Sequence, residues 1–342
     1  MSFSIGLNRW DWRTPATFAE SVRRGEELGI GHAFVPVNPL GIWDPYVLMT
    51  AGAMATSTMT FGPMLETPQL RPPAVAAGSI ASISEVSDGR AMLVYGIGDT
   101  AVRWLGMRPS RIAELEAATA QTKALLAGER LEVGAAQPAY LRHARPAPVW
   151  LACSGPKSLQ MAGRVADGVF LRIGTNPANL RAAIASVHAG AVEKGRDPKE
   201  ISIGLIVHTC RSQDPAEIRA ITRSMAAGFY EYVPALFSQA GFEWNGTPVE
   251  ELKKQLWPDF HHAADLVAAG GLVDFLDDEV AAAFSFFGTA ADVADQIRTV
   301  VAQVPEIEIV VPHPVPLPLN RTLGDEHAHY LDWLAEGVLS SL

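Results

Sequence analysis

Short apolar stretches recur along the chain, each followed by a longer stretch in which apolar residues return every three or four positions. The short stretches cover 3–7, 33–37, 58–65, 91–96, 148–153, 168–173, 201–207 and 307–312. Most are apolar on both faces, which is the pattern of parallel strands covered by helices rather than of a half-solvated antiparallel sheet. The periodic segments between them predict helices near 14–28, 44–56, 72–86, 110–127, 156–166, 177–194, 215–233 and 290–303, with a last one over about 322–341. Pro15, Pro45 and Pro156 fall at predicted helix starts, where a missing N–H costs least.

Eight strands alternating with helices predict an α/β fold, a (β/α)8 TIM barrel, although a doubly wound open sheet uses the same alternation. The stretch 234–286 is too long for one barrel connection and holds Trp244, Trp257 and the acidic run Phe275-Leu276-Asp277-Asp278-Glu279. It reads as an insertion of two or three short helices before strand 8, serving as a lid or an interface. Its tryptophans would cover an apolar substrate or form a small core of their own. With no tandem repeat and no linker, the expectation is one domain over 1–342.

Composition narrows the class. A chain of 342 residues, 48% hydrophobic and 19% charged, can bury a large core without metal or disulfide staples. Cys153 and Cys210 form no CxxC pair, which suits a reducing cytoplasm. The net charge of -10 argues against nucleic-acid binding, which depends on neutralising phosphates. No apolar run approaches the roughly 18 residues of a membrane span, and the start lacks a basic region followed by an apolar core. The expectation is a cytoplasmic protein with a small-molecule partner and no nucleic-acid or membrane partner.

In a barrel the chemistry lies where the strands end. Those positions are Asn8, Arg9 and Trp10; Asn38; Glu66 and Thr67; Gly96, Gly98 and Asp99; Ser154 to Ser158; Arg172, Gly174, Thr175 and Asn176; His208 and Thr209; and His313. Ser154-Gly155-Pro156-Lys157-Ser158 ends a strand and opens a helix with free N–H groups beside a lysine, a phosphate-binding arrangement or an ordinary capped helix. Gly96 and Gly98 are half a dinucleotide fingerprint, and serve either a tight turn or the close approach of a flat ligand. Trp10, Trp12, Trp43 and Trp104 either wall an aromatic pocket or pack. His261 and Asp265 lie one helical turn apart, but a third ligand is lacking and no metal site is expected. With no GxSxG elbow and no Cys–His pair in a recognisable context, a cofactor that carries the chemistry is the simpler expectation.

Four stretches resemble the luciferase-like flavin and deazaflavin oxidoreductases. Phe61 to Pro68 followed by Arg71-Pro72-Pro73-Ala74-Val75 is similar to "LGPGVTNP…RHPAV". Ser84 to Arg90 through Gly96-Ile97-Gly98-Asp99 is similar to "LDELSGGR…LGIGAGD". Pro148 to Lys157, continuing through Ala162 to Gly168, resembles "PVYIAASGPKALELAGRIADGV", and Gly288-Thr289-Ala290-Ala291-Asp292-Val293 resembles "GTPEDV". Within that family the details look most like the methylenetetrahydromethanopterin reductase branch.

The resemblance implies a barrel with coenzyme F420 over the strand ends, FMN being the alternative, and a non-proline cis peptide at Met64–Leu65 or a neighbour. It implies cofactor contacts from Met64, Leu65, Thr67, Gly96, Gly98 and Asp99 around the ring, from Ser154, Gly155 and Lys157 at the phosphate end, and from Arg172 and Thr175 at the tail. It also implies a homodimer. The chain departs from the pattern at Val37-Asn38, where many relatives have Asp-His, at Pro72 in place of His, and at Met64 in place of a small residue, so the substrate side is its own. The reading is an oxidoreductase moving a hydride between the deazaflavin and a C=C, C=N or C=O group. Asn8, Asn38, Glu66 and His208 would orient or protonate the substrate, Glu66 as proton donor if its pKa is raised. The alternatives are an FMN-dependent monooxygenase and a flavin carrier without chemistry.

Overall fold

The computed structural model of the protein describes residues 3–98, 100–212, 214–315 and 330–342. Among them the strands are β1 (Ser4–Leu7), β2 (His32–Val35), β3 (Thr60–Glu66), β4 (Leu93–Tyr95), β5 (Val149–Cys153), β6 (Gly168–Leu171), β7 (Ser202–Cys210), β8 (Ser285–Phe287) and β9 (Ile307–Pro314). The architecture is a (β/α)8 barrel, with β1 to β7 and β9 in the eight predicted places. Prolines open many of the intervening helices: Pro15–Glu27, Pro45–Ala55, Pro73–Val86, Pro156–Val165, Pro177–Glu193 and Pro215–Tyr232. At that first position the ring presets φ and the absent N–H is one that no helix carbonyl would have received.

The chain separates into two compact units. One comprises Ser4–Phe170 and Ala185–Gly204; the other comprises Met1–Phe3, Leu171–Ile184 and Leu205–Leu342. In the first, β1 to β5 pair in parallel in sequence order, with Phe34 opposite Gly62 and Leu93 opposite Val149. Phe34, Trp150 and Phe170 form an aromatic core, Phe170 lying 5.3 Å from Phe34 and 4.8 Å from Trp150 between ring centroids. Each such buried ring contributes on the order of 2–3 kcal/mol through lost water contact. On the outside, Gly163 and Gly190 allow helix backbones to touch: a Cβ on Gly163 would overlap the carbonyl of Val187, and one on Gly190 that of Gln160.

In the second unit β8 pairs with β7 in parallel, His208 opposite Ser285, a strand that the periodicity did not predict. Strand β7 continues to Cys210, so His208 and Thr209 lie within it rather than after it. The insertion holds the short helices Ala235–Gln239, Val249–Leu252, Leu266–Gly271 and Asp278–Ala282. Its core is aromatic: Trp244 stacks on Tyr230 at 4.2 Å and meets Phe275 at 5.1 Å, while Phe237 stacks on Phe284 at 5.1 Å. Trp244 therefore packs in the insertion, whereas Trp257 is 80% exposed. Asn179 donates to the Leu236 carbonyl at 3.0 Å, and Thr175 donates from its N–H to Ala283 and from its hydroxyl to Ala282. Among the described residues no helix is long and apolar enough to cross a membrane.

Candidate active site

The ends of β3, β4 and β5 stand side by side in the first unit. The Met64–Leu65 peptide bond is cis, and the β3–β4 register slips between Met64 and Glu66, so that Met64 faces Val94 while Glu66 faces Tyr95. Such an extra residue re-aims a side chain. Leu65 is half-buried and rests on Gly96, where a Cβ would come 2.7 Å from its Cδ1. Gly98 has φ +76, open to glycine at little cost, and a Cβ there would meet the Thr67 side chain at 3.0 Å. Thr67 donates to the Ile97 carbonyl at 3.3 Å and its hydroxyl lies 3.4 Å from that of Ser110. Met64, Leu65, Thr67, Gly96 and Gly98 thus form one apolar, glycine-backed wall. Asp99 lies outside the described residues.

Glu66 lies between Leu65 and Thr67, and its backbone carbonyl accepts the Gly96 N–H at 2.9 Å. Its side chain is 1% exposed and accepts from the Thr67 N–H at 2.9 Å, the Tyr46 hydroxyl at 3.2 Å and Arg71 Nε at 3.2 Å. Burial pushes its carboxyl above the usual range, against the lowering pull of the Thr67 N–H, Arg71 and Tyr46. Burial, with the Glu66 charge beside it, raises the Tyr46 phenol well above its ordinary value, which keeps it a donor. Tyr46, Arg71 and Asp44 were not among the sequence candidates; Asp44 directly before Pro45 was a legible helix cap, but its bond to Arg71 was not.

Next to this wall, β5 runs into helix Pro156–Val165. Gly155 is the N-cap and supplies no side-chain hydrogen bond, so the serine cap that the sequence allowed does not form. Ser158 donates its hydroxyl back to the Gly155 carbonyl at 2.8 Å, and Lys157 is exposed. A helix start of this kind offers N–H groups and the positive end of the helix dipole to an anion. Cys153 at the strand end is buried, and desolvation pushes its thiol up to about 12, which removes it as a nucleophile.

The second unit carries a histidine cluster. The His208 ring lies 4.7 Å from His261, 5.3 Å from His313 and 5.8 Å from Phe229. Burial lowers His208 well below the ordinary histidine value, reinforced by His261, His313 and Arg172. Its Nδ1 has no hydrogen-bond partner among the described residues. His261 is lowered to about 3 by burial and by Arg172, and its Nε2 donates to the Met225 carbonyl at 2.9 Å. Gly228 makes room for that ring, since a Cβ there would overlap it. Desolvation opposes ionisation of Asp259, but hydrogen bonds from His262 and Tyr232 hold it low. Asp265 caps helix Leu266–Gly271.

Other candidates are engaged locally. Asn38 accepts the Leu40 N–H at 3.3 Å and shapes its own turn. Asn8 is 4% exposed at the end of β1. The Thr175 N–H and hydroxyl both go to the end of the insertion, and Arg172 lies near His208 and His261. Among the four tryptophans, Trp10 is buried against Phe18, Trp12 lies under the Arg9 guanidinium, and Trp43 and Trp104 are 56% and 53% exposed.

The fold is a (β/α)8 barrel, and the ends of its strands β3, β4 and β5 bring an apolar wall beside an open helix start. Residues 7–305 match the family model described as luciferase-like monooxygenase, and the chain belongs to that family. It is 31% identical over 193 residues to 5,10-methylenetetrahydromethanopterin reductase of Methanolobus tindarius, a match spanning 54% of this chain and 58% of that protein. With the reductase of the same name from Methanopyrus kandleri the identity is 26%, over 87% of this chain and 88% of the relative. The solved structure of coenzyme F420 dependent tetrahydromethanopterin reductase from Methanopyrus kandleri superposes with a TM-score of 0.73 at 20% identity, covering 99% of each chain. The chain is an oxidoreductase.

Proposed function

We propose that the protein transfers a hydride between coenzyme F420 and a C=C, C=N or C=O bond of a small organic substrate. The observation that carries the reading is the juxtaposition, on neighbouring strands β3, β4 and β5, of the Leu65–Gly96 wall with the uncapped helix start at Gly155. A flat ring bearing a phosphate tail needs both: an apolar face that lets backbone approach, and an anion site beside it. When bound, the cofactor supplies or accepts the hydride. Leu65, Gly96, Gly98 and Thr67 would hold the ring face; Ser154, Gly155 and Lys157 would hold the phosphate.

Glu66 is assigned to holding the wall rather than to donating a proton, because its buried oxygens are already taken by three donors. Asn8 is assigned to orienting the substrate. His208, neutral and with Nδ1 free of a partner among the described residues, is assigned to proton exchange with it. A cytoplasmic homodimer accompanies the reading, and light scattering checks the dimer.

The test is a fluorescence titration of the protein with F420 and, separately, with FMN. Micromolar binding of F420 with weak binding of FMN is the expected result. The reverse preference would favour a flavin monooxygenase, and binding of neither would defeat the assignment.

A further inference from the structure

Arg71 lies on the loop just past β3 and reaches four groups at once. Its Nε meets Glu66 at 3.2 Å, its Nη2 meets Asp44 at 2.8 Å, its Nη1 reaches the Ser79 hydroxyl at 3.4 Å, and its guanidinium lies 4.3 Å from the Tyr46 ring centroid. Asp44 in turn caps helix Pro45–Ala55 through the Tyr46 N–H at 2.9 Å. One cation therefore joins the loop after β3 to the start of helix Pro45–Ala55 and to the middle of helix Pro73–Val86. A planar fork that bonds along its edges and stacks on a ring is an arginine arrangement that lysine does not reproduce.

The partner of consequence is Glu66. A buried carboxylate stripped of its cation either takes up a proton or turns toward water, because desolvation of an unpaired charge is costly. Glu66 cannot turn alone. It directly follows Leu65, its backbone carbonyl accepts the Gly96 N–H at 2.9 Å, and its side chain holds the Thr67 N–H. Movement of Glu66 would reach Leu65, Gly96 and Thr67 through these links.

We infer that Arg71 is a positioning residue for the cofactor: by compensating the buried charge of Glu66 it keeps Leu65 seated on Gly96, and so sets the face against which the ring lies. The inference rests on the cofactor reading above and adds to it a residue that touches neither cofactor nor substrate.

The experiment compares F420 binding by the wild type, Arg71→Met and the double variant Glu66→Gln/Arg71→Met, by fluorescence titration with thermal melts alongside. The wild type reads the cofactor assignment and the variants read the positioning role, so the two fail separately. Arg71→Met is expected to raise the Kd at least tenfold while the protein stays folded. The double variant, which removes the uncompensated charge, is expected to return within threefold of wild type. A staple acting only through Asp44, Ser79 and Tyr46 would not be rescued this way, because the double variant still lacks those contacts. Wild-type affinity in Arg71→Met, or a double variant as weak as the single one, overturns the inference. Should Arg71→Met not fold, a folded double variant with near-wild-type Kd supports the inference, and an unfolded or weakly binding one overturns it. A wild type that binds neither F420 nor FMN removes the cofactor reading and this inference with it.

Discussion

Leu65 and Gly96 are matched across the seam between β3 and β4: a Cβ at position 96 would sit 2.7 Å from Leu65 Cδ1 and 2.8 Å from Cδ2. Those atoms are the ends of a flexible side chain, so Gly96→Ala displaces Leu65 rather than the backbone. The expected result is a Kd for F420 raised roughly tenfold, with a cost to stability within the ~1–3 kcal/mol of a mild overpacking. Binding titration and a thermal melt on the same sample check it; unchanged affinity would mean that Leu65 is not part of the ring face.

Gly163 faces backbone instead. A Cβ there would overlap the Val187 carbonyl, and the two helices would have to separate. Gly163→Ala is expected to cost about 3 kcal/mol or more. Urea unfolding, or loss of soluble expression, reads this out.

The buried histidines set an acid limit on stability. His32 is lowered by burial to about 4 and His261 to about 3, while the unfolded chain protonates them near the ordinary 6.5. Their contribution is present above pH 6.5 and is lost as pH falls from there toward 4 and 3, because the unfolded state then binds more protons. Glu66 and Glu231, both raised by burial, have the opposite sign: they stabilise at acid pH and lose that contribution as pH rises through their folded values. Urea midpoints at about pH 6 and 5 should therefore fall below that at about pH 8. A flat series would contradict neutral, buried histidines.

Lys157 is exposed at the open helix start, where a single cation contributes on the order of 1 kcal/mol. Lys157→Met should raise the Kd for F420 roughly fivefold at low salt and make it less salt-dependent. Equal salt slopes for both proteins would place the phosphate elsewhere.

His208→Gln is expected to lower turnover by roughly 100-fold, the low end of general acid–base contributions, with the cofactor Kd nearly unchanged. Turnover within a few-fold of wild type would remove His208 from the reaction.

The barrel was legible because each buried strand is a local signal: β3 carries buried residues at nearly every position, and prolines marked the helix starts. Strand β8 was not, since Ser285-Phe286-Phe287 follows Ala281 to Phe284 without a polar break. The wall was legible as glycines beside a strand end. Its support was not: Glu66, Arg71 and Asp44 stand 5 and 27 positions apart in their two contacts with Arg71, and nothing local says which cation a buried carboxylate will meet. His208 was legible as a strand-end histidine, though β7 runs two residues past it, whereas its neighbour His261 arrives from the insertion and is accommodated by Gly228.

The insertion is fastened at both ends to one short stretch. Asn179 holds Leu236 where it begins, and Thr175 holds Ala282 and Ala283 where it finishes, so start and finish share a single footing only a few residues long. A segment anchored in this way behaves as a cassette. Evolution, or an engineer grafting a relative's segment between these anchors, could exchange its length and lining without rethreading any barrel strand.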